Sequence, residues 1–189
     1  GVDLSVNSSN FRTNPQITVS ENGSNLMAVW TESNNSQSQR GIFAQHLDAD
    51  GNRLWGSSGT AVVPLNNNYA YLDVSASSFG DDIITAYIEQ SVNMSGDIYA
   101  ARLNTEGNFS WEDVEVTNSG NSKSDMMVEK GQGCLIIAWS ENGNVYAHSL
   151  REDGTLGAPD VSLTGDINGD GNINVLDVVM LVDYILNPD

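Results

Sequence analysis

Near the end of this 189-residue chain, oxygen-bearing side chains recur at short, regular intervals: Asp166, Asn168, Asp170, Asn172, Asn174 and Asp177. They form a loop that opens at Asp166, closes at Asp177 and carries Gly171 at its centre. A hard dication takes about six to eight oxygen ligands, and a chain wraps that many around one ion only by turning sharply. Gly171 permits the turn because a positive φ costs glycine nothing. The pattern predicts calcium held by the carboxylates of Asp166, Asp170 and Asp177, the Asn168 side chain and the Asn172 carbonyl, with Asn174 acting through a water.

The segment after the loop constrains how that ion acts. From Val175 to Leu186 only Asp177 and Asp183 are charged, and apolar residues fall on every side of a helix. Such a helix must be covered. At about 18 Å it is too short to cross a bilayer, so no transmembrane segment is expected. Calcium would neutralise three carboxylates and pin the helix start. The helix would then pack on the body of the chain, on a second repeat or on another molecule, which makes it a candidate contact for a protein partner or for self-association.

The closing residue of the loop is Asp rather than the Glu of the usual EF-hand. In that form Asp166–Leu186 resembles one half of a type I dockerin, a module built from two such loop-helix repeats. The resemblance implies secretion and anchoring to a cohesin-type partner. Two positions that help recognise cohesin in that family are often hydroxylated or polar, and here they are Val175 and Leu176.

The body of the chain repeats itself. Leu26-Met-Ala-Val-Trp30-Thr-Glu32 recurs as Ile83-Ile-Thr-Ala-Tyr87-Ile-Glu89 and as Leu135-Ile-Ile-Ala-Trp139-Ser-Glu141. Each is followed by a second apolar run, at Ile42–Leu47, Ile98–Leu103 and Val145–Leu150. Each second run enters a turn ending in glycine, at Gly51, Gly107 and Gly154. Trp55 and Trp111 follow the first two turns, with Ala158 in the third copy. Short strands at Ala61–Val63, Val114–Val116 and Val161–Leu163 close the units.

Repeats of this length with several short strands predict β-propeller blades. In the aromatic strands both alternating faces are apolar: Leu26, Ala28 and Trp30 on one, Met27 and Val29 on the other. A sheet wetted on one side would alternate polar and apolar residues, so these strands are expected to be covered on both sides. The repeats resemble those of secreted bacterial propellers, with an apolar run ending in Trp-x-Glu, then Ile-Tyr-Ala-Gln-x-Leu and Asp-Gly-Asn-x-x-Trp. The expected fold is therefore all-β: a propeller-like array of three blade repeats over residues 1–163, then a calcium loop and short helix over 164–189.

Closed propellers have about four to eight blades, and an open array leaves strand edges and blade faces unpaired. Gly1–Val6 reads as a strand equivalent to the segment after Trp55, where a preceding blade would hand over. Upstream blades removed from a longer protein, a ring completed by further chains, and end-to-end assembly all fit this pattern. Without an initiator Met or signal peptide, the chain reads as a mature product, a processed piece or a fragment.

Other residues in the body invite chemical readings. Glu32, Glu89 and Glu141 occupy equivalent positions and point to the same face as their aromatic neighbours. Three such carboxylates could bind a cation or sugar, but the favoured reading is structural, with each bonded to nearby backbone at a strand end. The segments Asp48–Trp55 and Asn104–Trp111 resemble the Asp-box of sialidases, which in that family is a structural turn. Sialidases also hold a substrate carboxylate with clustered arginines. Here Arg12, Arg40, Arg53, Arg102 and Arg151 are scattered over unrelated positions. His46 and His148 are offset by one position in their repeats and so face opposite sides. No nucleophile elbow, Walker loop or His-Glu-x-x-His run is present.

Seven basic residues against twenty-five acidic ones give a net charge of −18. That balance repels phosphate backbones, so nucleic acid is excluded as a partner. It suits cation binding and a calcium-rich extracellular or cell-surface setting. Cys134, the one cysteine, lies in an apolar run and reads as a small buried hydrophobe. The function expected is a non-catalytic extracellular binding or structural module, with carbohydrate among its possible ligands. The alternatives are a fragment of a sialidase-like or other glycoside-acting propeller enzyme, and a self-assembling filament or surface-layer subunit.

Overall fold

The computed structural model describes residues 1–93, 95–157 and 174–186, with the backbone alone for Tyr184. Contacts divide the chain into two units, Gly1–Ala158 and Pro159–Asp189. The first unit is all-β. Its first sheet holds β1 (Phe11–Val19), β2 (Leu26–Ser33), β3 (Arg40–Leu47) and β4 (Thr60–Asn66). The second holds β5 (Ala70–Phe79), β6 (Asp82–Gln90), β7 (Gly96–Leu103) and β8 (Phe109–Glu115). The third holds β9 (Lys123–Lys130), β10 (Cys134–Glu141) and β11 (Asn144–Arg151). Every sheet is an antiparallel meander with its strands in chain order. The expected closing strand at Val161–Leu163 lies outside the described residues.

The sheets stack face to face, which accounts for the absence of polar alternation in the aromatic strands. In β6, Ile83 and Tyr87 enter a core shared with Met27, Val29, Ile42 and Ala44 of the first sheet. The alternate residues Ile84, Ala86 and Ile88 enter a second core with Leu135, Ile137 and Trp139 of the third. Each isoleucine fully buried in this way contributes roughly 1.5–3 kcal/mol over an exposed one. Cys134 is buried, as its apolar surroundings predict.

The first strand of each sheet lies innermost, β1 beside β5 and β5 beside β9. Each of these strands has a bulge, between Thr13 and Gln16, between Tyr71 and Val74, and opposite Ala138–Ser140. A bulge re-aims a side chain, and here it aims an Asn or Asp at the neighbouring inner strand. Asn14 donates to the Leu72 carbonyl at 3.3 Å, and the Asp73 carboxylate accepts the Met126 N–H at 3.0 Å. Asp125 occupies the same position in the third sheet, with φ near +53°.

At the opposite end, the glycine turns lock each sheet to the next. The Asp48 carboxylate accepts the N–H groups of Asp50 and Asn52, and Asn104 does the same for Glu106 and Asn108. The Asn52 side-chain amide, which donates to Asp48 Oδ2 at 2.9 Å, and then these backbone bonds hold the Asp48 carboxyl below the usual carboxylate range. Trp55 then reaches forward, donating from its indole to the Thr105 carbonyl at 2.9 Å and lying against Gly107. Trp111 repeats the move on Glu152 and Gly154. Both glycines have a positive φ, and a Cβ on either would meet the indole at 3.1 Å. The Asp-box-like segments are thus structural turns, as their resemblance implies.

Val2–Val6 is not a strand. Its backbone is engaged by side chains instead of a ladder: Gln45 donates to the Leu4 carbonyl and Arg53 to the Asp3 carbonyl. A single backbone bond joins Val6 to Ser57. In the second unit, α1 (Val175–Leu186) begins at an Asn174 cap.

Candidate functional site

The three repeat glutamates lie at the last or next-to-last position of β2, β6 and β10, where each strand turns into the next. The third turn is the two-residue Asn142-Gly143, both at positive φ, a tight hairpin that leaves no overhang. The first two connections are longer, Asn34–Gln39 and Ser91–Ser95, and they wall small hollows at the sheet ends.

In the first and third sheets the glutamate is tied down. The Trp30 indole donates to Glu32 at 2.9 Å and the Asn10 amide at 2.6 Å, while Arg12 Nε stands 3.2 Å away. Glu141 repeats the arrangement with Trp139 at 3.2 Å, Asn121 at 2.7 Å and Lys123 at 3.6 Å. The Asn121 amide first, with further hydrogen bonds and the Lys123 ammonium, holds the Glu141 carboxyl below its ordinary range. The structural reading of these two glutamates holds, although their partners are mainly side chains rather than loop backbone.

Lys123 also fastens the second sheet to the third. Its Nζ donates to the Gly96 carbonyl at 2.6 Å, the Asp97 carboxylate at 3.0 Å, Ser119 Oγ at 2.8 Å and the Asn121 carbonyl at 3.1 Å. The ammonium is fully desolvated and is repaid by two carboxylates, one from each sheet.

The second sheet breaks the pattern. Tyr87 stands where the other two repeats have tryptophan, and Tyr71 stands where they have Arg12 and Lys123, by strand register. Among the described residues Glu89 therefore meets neither an indole donor nor a cation, and it accepts from the Tyr71 hydroxyl at 3.5 Å. Burial, reinforced by the charge of Asp113, pushes the Glu89 carboxyl above its ordinary range. Burial likewise pushes the Tyr71 phenol up to about 12 and raises Tyr99, so both remain protonated hydrogen-bond donors.

Glu89 opens into a cleft of about 190 Å³ shared with Tyr69, Tyr99, Asp97, Ser91 and Ser95. Asp97 lies directly across the strand pair from Glu89 and is held by Lys123 and the Thr117 hydroxyl. A second hollow of about 300 Å³ beside Tyr71 is lined by Phe11, Glu32 and Arg40. The cleft combines two tyrosine rings with their phenol hydroxyls, two serine hydroxyls and two carboxyls in different environments. Such a surface binds ligands with both apolar faces and many hydroxyls, and it can lend or take a proton at Glu89.

The remaining expected features stay apart from this cleft. Arg12 pairs with Glu32, Arg53 with the Asp3 carbonyl, and Arg102 with Asp82 and Glu152. These arginines do not form a cluster. His46 is buried beside Trp55 and faces the second sheet's turn, while His148 pairs with Ile137 on the opposite side of its sheet.

Of the expected calcium ligands, Asp166, Asn168, Asp170 and Asn172 lie outside the described residues. Asn174 and Asp177 are described and form a reciprocal cap. The Asn174 N–H donates to Asp177 Oδ2 at 2.7 Å, and Asn174 Oδ1 accepts the Leu176 N–H at 2.8 Å. The buried Asp177 carboxylate at the helix start also favours the N-terminal end of the dipole. Among the described residues, no three His, Cys, Asp or Glu side chains converge as a metal site.

No family model matches the chain, and no curated protein matches it in sequence. Among solved structures, it resembles a Hadza microbial sialidase with a TM-score of 0.55 at 12% identity, over 80% of this chain and 34% of that one. An endo-arabinase from Bacteroides thetaiotaomicron aligns with a TM-score of 0.43 at 13% identity, over 74% of this chain and 54% of the enzyme. The chain thus spans about a third of the sialidase's length, and the likeness is one of fold: three antiparallel sheets arranged as propeller-type blades.

Proposed function

We propose that this chain is an extracellular, glycan-directed propeller module whose second sheet binds a saccharide in the Tyr69–Glu89–Tyr99 cleft. The supporting observation is the departure of one repeat from the other two. Two sheets lock the terminal glutamate with an indole, an amide and a cation, while the middle sheet leaves it beside tyrosines in an open cleft. Sugar rings present C–H faces to aromatic side chains and hydroxyls to carboxylates, which is the chemistry this surface offers. In the second unit, calcium held by Asp166, Asn168, Asp170, Asn172, Asn174 and Asp177 would order the tail for anchoring.

A second reading is that the chain is part of a glycoside-acting enzyme. The fold likeness to a sialidase favours it. So do two carboxyls on opposed strand positions, roughly 4.5–5.5 Å apart at Cβ, one with a raised pKa and one bonded to a lysine. Glu89 would hold the proton to be donated and Asp97 the negative charge, a division of labour characteristic of paired carboxyls.

Titration calorimetry with sialylated and arabinan oligosaccharides, run beside hydrolysis of the matching aryl glycosides, separates the two. Binding that is lost in Tyr69→Ala and Tyr99→Ala, with no hydrolysis, supports the binding module. Hydrolysis abolished by Glu89→Gln with binding retained supports the enzyme. Binding unchanged by either tyrosine substitution overturns both assignments to this cleft.

A further inference from the structure

Seven basic side chains face twenty-five acidic ones in this chain, so a cation without a partner stands out. Arg12, Arg53, Arg102, Lys123 and Lys130 are bonded to carboxylates or carbonyls, and Arg151 is engaged as well. Among the described residues, Arg40 alone of the seven has no hydrogen-bond or ion-pair partner. Its place in the repeat is equally particular. Arg40 precedes the residue paired with Glu32, and the positions that precede the partners of Glu89 and Glu141 are Gly96 and Gly143. Arg40 shares its side of β3 with Ile42 and Ala44, which pack against the second sheet. At that junction it lines the hollow of about 300 Å³ with Phe11, Glu32 and Tyr71. Glu32 does not neutralise it, because one carboxylate oxygen accepts from Asn10 and the other from Trp30 beside Arg12. At the next junction a cation is supplied by Lys123 instead, and it is fully paired with Asp97 and Glu141.

We propose that this hollow binds the anionic group, carboxylate or sulfate, of a saccharide whose neighbouring neutral unit lies in the Tyr69–Glu89–Tyr99 cleft. The inference rests on the saccharide reading of that cleft and adds the charge pattern of the ligand. The two sites adjoin at Tyr71, which lines the hollow while its hydroxyl accepts from the Asn66 amide at 2.8 Å and donates to Glu89 at 3.5 Å. A guanidinium presents a planar fork of donors that matches the oxygens of such an anion. Phe11, 49% exposed, supplies a ring for the apolar side of the same sugar unit. The cleft offers the opposite environment, because Glu89 and Asp97 line it and would repel a second anion. A net charge of −18 also repels a polyanion as a whole. The ligand so selected carries an acidic unit beside a neutral one, not a charge on every unit.

Calorimetry on the full chain tests this with a glucuronate-containing disaccharide, its methyl ester, and a neutral disaccharide bearing a single sulfate. The ester keeps the shape of the acid and removes its charge. The acid should bind about tenfold more tightly than the ester, the scale of one charge-assisted hydrogen bond, and added salt should narrow the margin. Arg40→Gln should bring the acid down to the level of the ester, while Arg40→Lys, which keeps the charge without the fork, should retain part of the margin. Arg40 is exposed, so neither variant should move the melting temperature. A sulfated probe bound more tightly than the acid supports the site and identifies its anion as sulfate. Acid and ester bound alike, with both lost in Tyr99→Ala, overturn the anion site and leave the saccharide cleft standing. A preference for the acid that survives Arg40→Gln overturns the assignment to this hollow. Absence of binding by all three probes overturns the saccharide reading and this inference together.

Discussion

Replacing Lys123 with Met tests how the second and third sheets are held together. Methionine keeps the apolar stem of the lysine but removes the ammonium. Two carboxylates then lose their shared counter-charge: Asp97, at 20% side-chain exposure, and Glu141, at 9%. Removing one partner of a buried ion pair costs about 3–5 kcal/mol, because the remaining charge is left desolvated and unpaired. That is a large share of a domain's stability. Urea unfolding followed by tryptophan fluorescence at neutral pH should show it, and Lys123→Met/Asp97→Asn/Glu141→Gln should recover much of the loss. The pH dependence follows from Glu141. Its folded pKa is lowered, so its contribution is present above the unfolded value of about 4.3 and is lost as pH falls through the folded value. The penalty of Lys123→Met should therefore shrink in acid, where Glu141 takes up a proton. A loss under about 1 kcal/mol at neutral pH would refute the clasp.

Glu89→Gln should raise the melting temperature at neutral pH. A carboxyl with a raised folded pKa costs stability when ionised, and that cost vanishes as pH falls through the folded value toward the unfolded one. The gain should therefore disappear in acid, and a gain independent of pH would speak against burial as the cause. Gly107→Ala should destabilise by about 1–2 kcal/mol from its positive φ alone, and by more where its Cβ meets the Trp55 ring and Thr60 Oγ1, as read from a urea midpoint. Asn174→Ala should weaken the helix cap by about 1 kcal/mol. Calcium titration by calorimetry should show one site lost in Asp166→Ala/Asp170→Ala, and a chelator should remove the ellipticity of Val175–Leu186.

The aromatic strands were legible in the sequence because burial on both faces leaves an unbroken apolar run. Leu26–Trp30 and Ile83–Tyr87 carry that signal and are buried on both sides, while Leu135–Trp139 carries it with Leu135, Ile137 and Trp139 in the core shared with the second sheet and Ile136 40% exposed on the other side. The innermost strands were not legible. β1 reads Phe-Arg-Thr-Asn-Pro-Gln, and a bulge shifts its register in the middle, so neither face shows a steady period. A signal was nevertheless present in Arg12-x-Asn14, Tyr71-x-Asp73 and Lys123-x-Asp125, where a residue that meets the glutamate is followed by the bulge connector. The cleft was harder to find. Glu89 looked like its two equivalents, and its difference lies in Tyr71, which becomes its neighbour only through strand pairing. Val2–Val6 misled because its alternation is that of a strand, while its backbone is claimed by the Gln45 and Arg53 side chains.

The tryptophan latches give the body a direction. Trp55 is covered by Thr105 and Gly107, and Trp111 by Glu152 and Gly154, so each indole waits for the repeat that follows it in the chain. On a ribosome, a newly made sheet would therefore emerge with its indole bare and be sealed only after about fifty further residues, a delay of several seconds at about 5–20 residues per second. Partly made chains would present one unshielded indole at the growing end, a handle for chaperones and a hazard for misassembly. Tryptophan emission from stalled nascent chains of increasing length should accordingly shift in steps, each one repeat behind the sheet that carries the fluorophore.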